Sequence, residues 1–174
     1  MNLQDIEKYF KGRPCYIIGK GPSLDDLNEG DFDIEVPILC INDSIHKMES
    51  LNIQNPLFVM QQDMSLKDAC KPQRGTLIVA SAAHNHYPDL CNKVVFHMEE
   101  LQLRSCLTVI AAIRMLQRFG ATELRMRAFD ACINKNTNYA SSIGYTSTRG
   151  GKPSRFLEHR AKIMAEVKVP IDWR

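Results

Sequence analysis

Tyr16–Leu24 reads Tyr-Ile-Ile-Gly-Lys-Gly-Pro-Ser-Leu, a short apolar run that breaks into a Gly-x-Gly-Pro-Ser turn. Such a run is typical of a buried β-strand, and the turn is typical of a strand that leads into a helix. Gly19 and Gly21 permit backbone torsions and a close ligand approach that a Cβ would obstruct. Pro22 begins a predicted helix whose unpaired N–H groups would face an anion. The stretch therefore predicts a phosphate-binding junction at the end of a strand.

Apolar runs rich in β-branched and aromatic residues recur along the chain, each bounded by Gly, Pro, Asn or Asp. They predict strands at Cys15–Ile18, Val36–Ile41, Pro56–Met60, Thr76–Ala80, Lys93–Phe96 and Leu124–Phe129. Segments of helical periodicity predict helices at 3–10, ending near Gly12; at Asp43–Leu51; at Ser105–Phe119, closed by Gly120; and at Arg155–Val167, capped by Ser154. Because parallel strands need crossover connections, this alternation predicts an α/β fold. We expect a Rossmann-like three-layer sandwich with a mainly parallel sheet of about six strands.

The composition predicts one domain over residues 1–174, since 174 residues with 44% hydrophobic content suffice for one core and not for two. The formal net charge of +2 offers no whole-protein argument for nucleic-acid binding. The apolar runs are too short for a membrane span, and the N-terminus lacks the apolar segment of a signal peptide. A cytoplasmic protein without a membrane span is therefore expected.

The six cysteines stand singly, with no Cys-x-x-Cys pair and no Cys/His cluster at zinc-ligand spacing. A disulfide scaffold, a structural zinc and a tightly bound cofactor are therefore not predicted. Cys15 and Cys40 belong to predicted strands, where a thiol usually behaves as a small buried apolar group.

The polar residues of the chain concentrate where the predicted strands end, which is the edge at which parallel sheets bind ligands. The nucleotide-binding candidates are Gly19, Lys20, Gly21, Pro22, Ser23, Asn42, Asp43, Gln62 and Asp63. Lys20 either pairs with a phosphate or is simply solvated. Asn42 either contacts a base or ribose or forms an Asx turn that caps the following helix. Asp63 either holds a metal with phosphate oxygens or caps its segment.

The acid–base candidates on the same edge are His84, His86, His97 and Asp130. The His-x-His pair at 84 and 86 has no neighbouring Cys or carboxylate partner, so a loop is favoured over a metal site. The polar region 131–153 is predicted to be a long loop, either a lid over a ligand or disordered. The basic residues between Arg149 and Lys162 suit a phosphate-bearing acceptor such as DNA or, more commonly, a solvated helix face.

An NAD-type site is disfavoured, because Leu24 stands where a third glycine would follow and Asn42 stands where an acidic ribose ligand would be. A mononucleotide or nucleotide-sugar pocket fits better. Two motifs, the turn Gly19–Leu24 and the strand ending Cys40-Ile41-Asn42-Asp43-Ser44, resemble the opening of the bacterial lipooligosaccharide sialyltransferases and the motility-accessory glycosyltransferases. Phe119–Asp130 is similar to the end of their core, with Ala128 in place of the usual glycine.

The resemblance implies a transferase whose donor is a CMP- or UDP-linked sugar, with a glycan, a protein or a nucleic acid as acceptor. One of the histidines, together with Lys20 and the turn amides, would then take the acceptor proton and stabilise the departing phosphate. A related family, the archaeal pterin pyrophosphokinases, implies ATP-dependent diphosphate transfer with magnesium and a carboxylate cluster around Asp63 and Asp130. A third hypothesis is a nucleotide-binding or interaction protein without catalysis.

Overall fold

The computed structural model describes residues 3–61, 72–79, 94–95, 107–130, 140, 142 and 153–174. Its strands form one seven-stranded sheet in which every neighbouring pair is parallel, in the order β5-β4-β3-β2-β1-β6-β7. The strands are β1 Pro14–Ile18, β2 Ile38–Ile41, β3 Leu57–Gln61, β4 Thr76–Val79, β5 Val94–Val95, β6 Glu123–Arg127 and β7 Ile171–Trp173. The predicted α/β fold with a parallel sheet is confirmed, and β7 is a seventh strand that the sequence did not indicate.

Four helices are described: α1 Leu3–Phe10, α2 Ser44–Ser50, α3 Thr108–Arg118 and α4 Pro153–Glu166. Gly12 and Gly120, two residues beyond the ends of α1 and α3, have φ of 71° and 78°, the left-handed conformation for which glycine is favoured. Both helix ends were predicted from these glycines. The predicted cap of α4 is wrong, because the helix already includes Pro153 and Ser154 therefore lies in its first turn.

A buried cluster lies on each face of the sheet, and the strands supply alternate residues to each. Cys15 and Ile17 belong to a buried cluster on the first face, which also contains residues of α1, α3 and α4. Tyr16 and Ile18 belong to a second cluster, on the face where α2 packs. Cys15 and Cys40 are buried, as expected, and burial raises the pKa of the Cys15 thiol. That thiol therefore behaves as an apolar core group.

Among the described residues, fewer helices pack on the second face than on the first. Of the described helices only α2 contributes to its core, and α2 contacts β2 and β3. The β6–β7 end of the same face instead presents charged side chains next to the segment that follows β1. None of the described helices is long and apolar enough to cross a membrane.

Candidate functional site

The strand order reverses beside β1. Strands β2 to β5 extend the sheet on one side of β1, whereas β6 and β7 extend it on the other. In open parallel sheets the connections diverge at such a point and leave a crevice beyond the carboxyl ends of the two strands. The crevice here lies between the ends of β1 and β6, where Gly19–Ser23 meet Ala128–Asp130.

The two glycines of the turn are fixed by the end of β6. The N–H of Gly19 donates to the Arg127 carbonyl at 2.8 Å, and the N–H of Gly21 donates to the Ala128 carbonyl at 2.7 Å. A Cβ on Gly19 would lie 2.4 Å from the Ala128 carbonyl oxygen, and one on Gly21 would lie 2.4 Å from Asp130 Oδ2. A ligand was predicted to approach the backbone of these glycines closely, but residues 128–130 of the chain itself do so. These contacts are sufficient to explain why both positions are glycine.

A ligand anion was expected at the N–H groups of the turn, but a carboxylate of the protein itself binds there. Pro22–Leu24 forms a single 3₁₀ turn instead of the predicted longer helix, and the Ser23 N–H donates to Asp130 Oδ2 at 2.8 Å. A phosphate at that N–H would have to displace a carboxylate or lie against it. Asp130 thus joins the two sides of the crevice, and phosphate binding at Ser23 stays a prediction.

Asn42 lies one strand away, directly after β2, with φ of 54°. Asparagine tolerates this left-handed conformation better than most residues. The predicted Asx cap is not formed, since the N-cap of α2 is Asp43 and no side chain makes a capping bond there. The Asn42 side chain makes no hydrogen bond within the described ranges, while its N–H donates to the Met60 carbonyl at 3.1 Å.

Ser44, two residues after Asn42, holds this part of the backbone in place. Its buried hydroxyl oxygen lies 3.0 Å from the Ile18 carbonyl and 3.1 Å from the Ile41 carbonyl, and it accepts the Ile41 N–H at 3.0 Å. The start of α2 is thereby tied to the ends of both β1 and β2. This anchoring role was not predicted, although Ser44 ends the Cys40–Ser44 motif of the sequence.

The other candidates divide between described and undescribed parts of the chain. Lys20 and Asp43 are half-buried at the carboxyl edge, and the Lys20 carbonyl accepts the Ala140 N–H at 2.9 Å. Candidates outside the described residues are Gln62, Asp63, His84, His86 and His97. Within the ranges the structure describes, no three His, Cys, Asp or Glu side chains gather as a metal site would require.

A cavity of about 740 Å³ lies beside the crevice. Ser23 and Ala128 line it at the crevice end, and the segment from Asp26 to Asp33 forms one wall. The floor consists of side chains from β6 and β7, namely Glu123, Arg125, Arg127 and Asp172. We call this cavity the β6 groove.

The arginines of the β6 groove are held in ion pairs. Arg127 is 8% exposed, and its guanidinium donates to Asp172 Oδ2 at 2.8 Å and to the Met126 carbonyl at 2.9 Å. Arg125 donates to Asp33, to Glu123 Oε2 at 3.3 Å and to the Tyr16 hydroxyl at 3.2 Å. These hydrogen bonds and ion pairs hold both guanidinium groups in place.

Both arginines also lie near the same aromatic ring, and the pKa values of two charged groups of the groove are shifted. Both guanidinium carbons are 5.4 Å from the centroid of the Tyr16 ring. Burial alone would raise the pKa of Asp172, but hydrogen bonds from Arg127 and Arg174 outweigh it and hold that pKa below its ordinary value. Hydrogen bonding to Asp33 raises the pKa of Arg125. Asp172 and Arg125 are therefore charged at neutral pH.

The β6 groove was not predicted, although a sequence signal was present. Glu123-Leu124-Arg125-Met126-Arg127 alternates charged and apolar residues with a period of two, which is typical of a strand with one polar face. The prediction treated this strand as apolar throughout. Leu124 and Met126 do enter the core of the first face, and the three charged residues line the groove on the other.

Asp172→Asn should make the stability of the fold less sensitive to acid. Because the pKa of Asp172 is lower in the folded state than its ordinary value of 3.8, the ionised carboxylate stabilises the fold at pH values above 3.8. This stabilisation is lost as the pH falls through the lower pKa of the folded state. Urea unfolding of both proteins between pH 7 and pH 2 would measure the difference. Asp26→Asn is the control, because it removes an exposed carboxylate that is not part of the Arg127–Asp172 ion pair. Its stability should depend on pH as that of the wild type does. Equal profiles for wild type and Asp172→Asn would contradict the prediction.

Compared with known proteins, the chain matches no family model and no curated protein. A function is therefore inferred from four structural features: the crevice, Asn42, Asp130 and the β6 groove.

Proposed function

We propose that the chain is the core of a nucleotide-sugar-dependent glycosyltransferase whose donor is a CMP- or UDP-linked sugar. The observation that carries the proposal is the crevice where the strand order reverses, with Asp130 and the glycine turn at its centre and Asn42 one strand away. Open parallel sheets bind nucleotides at this point. The sialyltransferase-like arrangement of the same motifs along the sequence supports the sugar donor.

The charges around the crevice favour a particular placement of the donor. Asp130 Oδ2 already accepts the Ser23 N–H, so the carboxylate suits ribose hydroxyls, which donate hydrogen bonds, and repels phosphates. Asn42 offers both a donor and an acceptor, the combination that a nucleobase edge requires. The donor phosphates are then assigned to Lys20, whose positive charge suits them. The general base is assigned from sequence to one of His84, His86 and His97.

Nucleotide binding is tested by the melting temperature of the full chain with CMP, UDP, GDP, ATP and sugar nucleotides, with and without magnesium. A ligand at about 100 times its Kd stabilises the folded state by about 2.7 kcal/mol, which corresponds to roughly 5–10 °C for a chain of this size. We expect this shift from CMP or UDP. A shift from ATP only with magnesium would favour diphosphate transfer instead. Melting temperatures that respond to none of the nucleotides would contradict both enzyme hypotheses.

Asn42→Gly tests the site without disturbing the backbone, because glycine accepts the φ of 54° while the amide is removed. Loss of a hydrogen-bonding side chain should weaken nucleotide binding about tenfold. Glu35→Gly is the matched control, since Glu35 is exposed, has φ of 66° and does not line the groove. Equal nucleotide affinity in the two variants would remove Asn42 from the site.

A further inference from the structure

Ile34 is the most exposed large apolar side chain in the part of the chain that the structure describes, at 83%. It lies in a turn that is closed by the Val36 N–H, which donates to the Asp33 carbonyl at 3.3 Å. The side-chain amide of Asn55, only 8% exposed, donates to the Asp33 and Val36 carbonyls at 2.8 Å each. Ile34 is therefore presented on a backbone that is already held in place, so that little conformational entropy would be lost if a partner covered it.

Carboxylates surround this apolar side chain. Asp33 and Glu35 flank Ile34 in the chain, and Asp31 lies on the same exposed segment. Residues 25–35 contain six carboxylates and no lysine or arginine. The ion pair of Asp33 with Arg125 offsets one of these charges. We call residues 31–35 the acidic turn. Its complement is a surface with an apolar centre and cations around it.

A surface of this kind lies on α4. Met164 of this helix is 44% exposed, and Arg160 and Ala161 lie beside it at four- and three-residue spacing. Lys168 is exposed two residues after the helix ends. In total, residues 158–168 expose three cations and one carboxylate. The basic surface of α4 is the name used below for Arg160, Ala161, Met164 and Lys168.

The acidic turn and the basic surface of α4 face away from each other in one chain. Phe32 of the acidic turn belongs to the buried cluster on the second face of the sheet. Ile163, next to Met164, belongs to the cluster on the first face. A contact between the two surfaces must therefore join two copies of the chain.

We propose that copies of this chain associate head to tail, with the acidic turn of one copy docked on the basic surface of α4 of the next. Ile34 would then pack against Met164 and Ala161, and the carboxylates of the turn would lie beside Arg160 and Lys168. A second copy fits because the same chain supplies both the apolar side chains and the opposite charges. Neither surface includes a residue of the crevice, so this association is independent of the proposed function.

The first test is the sedimentation velocity of the full chain over a range of protein concentrations. We expect the mean sedimentation coefficient to rise with concentration, because each added copy leaves one unused surface of each kind at the ends. Raising the salt concentration should weaken the association, since the charges on both surfaces are exposed. A chain that stays monomeric at every concentration would overturn the proposal, and so would association that salt does not weaken.

Ile34→Gln and Met164→Gln each replace one apolar contact by a neutral polar side chain. Each variant should self-associate at least about tenfold more weakly than the wild type. Both should keep the wild-type melting temperature, because both positions are exposed. Tyr9→Gln is the matched control, since Tyr9 is a large side chain, 36% exposed, that lies on α1 outside both surfaces. Wild-type association in Ile34→Gln or Met164→Gln, or an equal loss in Tyr9→Gln, would count against the contact.

An equimolar mixture of Ile34→Gln and Met164→Gln tests which surfaces meet. Ile34→Gln keeps the basic surface of α4 intact, and Met164→Gln keeps the acidic turn intact. The mixture should therefore form a heterodimer with the affinity of the wild-type contact, and this heterodimer should not grow further. A mixture that stays monomeric would overturn the head-to-tail contact, because that result is expected if each surface binds its own copy. Nucleotide-dependent shifts of the melting temperature are a separate measurement, so either proposal can fail while the other stands.

Discussion

Gly19→Ala should lower the free energy of unfolding by about 3 kcal/mol, near the upper end of the usual cost of overpacking. The new Cβ would lie 2.4 Å from the Ala128 carbonyl oxygen and 3.1 Å from the Phe129 ring, and the carbonyl is backbone that cannot rotate away. Both strand ends of the crevice would have to separate, which would weaken the Gly19–Arg127 bond of 2.8 Å. Urea unfolding measures the loss, and the melting temperature should fall by roughly 6–12 °C.

Gly30→Ala is the matched control for this prediction. Its Cβ would meet only Asn28 Oδ1, at 3.2 Å, and the position has no left-handed φ. Its stability should stay within about 0.5 kcal/mol of wild type, the range of ordinary surface substitutions. A loss below about 1 kcal/mol in Gly19→Ala would show that the ends of β1 and β6 can move apart, and that the close approach does not require glycine.

The sheet was predictable because its strands carry complete local signals. Tyr16–Ile18 and Ile38–Ile41 are continuous apolar runs of the kind that a parallel sheet buries on both faces. Ile171–Trp173 was missed because it is three residues long with Asp172 at its centre, and its pairing with β6 is a long-range contact. No local pattern predicts such a strand. Gly12 and Gly120, in contrast, mark helix ends through their own backbone preference and were interpreted correctly.

The location of the candidate site could be predicted from the sequence, but the contacts among its residues could not. That Gly19 and Asp130 would meet at one edge follows from strand topology. That the Asp130 carboxylate would take the Ser23 N–H depends on where β6 ends, which no motif encodes. Ala128 adopts φ of 59°, which explains why glycine would suit the position occupied here by alanine. The β6 groove was missed for a different reason. Charged and apolar residues alternate along β6, which indicates one polar face, but the strand was interpreted as apolar throughout.

Arg127→Leu should lower the free energy of unfolding by about 2–3 kcal/mol. Breaking a fully buried pair costs about 3–5 kcal/mol, and the loss here is smaller because Asp172 is 24% exposed and keeps Arg174 as a partner. Asp172→Leu should also destabilise the fold, since among the described residues it leaves Arg127 with the Met126 carbonyl as its remaining hydrogen-bond partner. Urea unfolding of the two single variants and of Arg127→Leu/Asp172→Leu completes a double-mutant cycle.

The double variant should recover to within about 1 kcal/mol of wild type, because two apolar side chains remove both desolvated charges together. Strictly additive losses would contradict this result and would mean that the two side chains stabilise the fold separately. A recovered double variant would show that the Arg127–Asp172 pair contributes little net stability to the fold, because its Coulomb attraction only offsets the cost of removing the two charges from water.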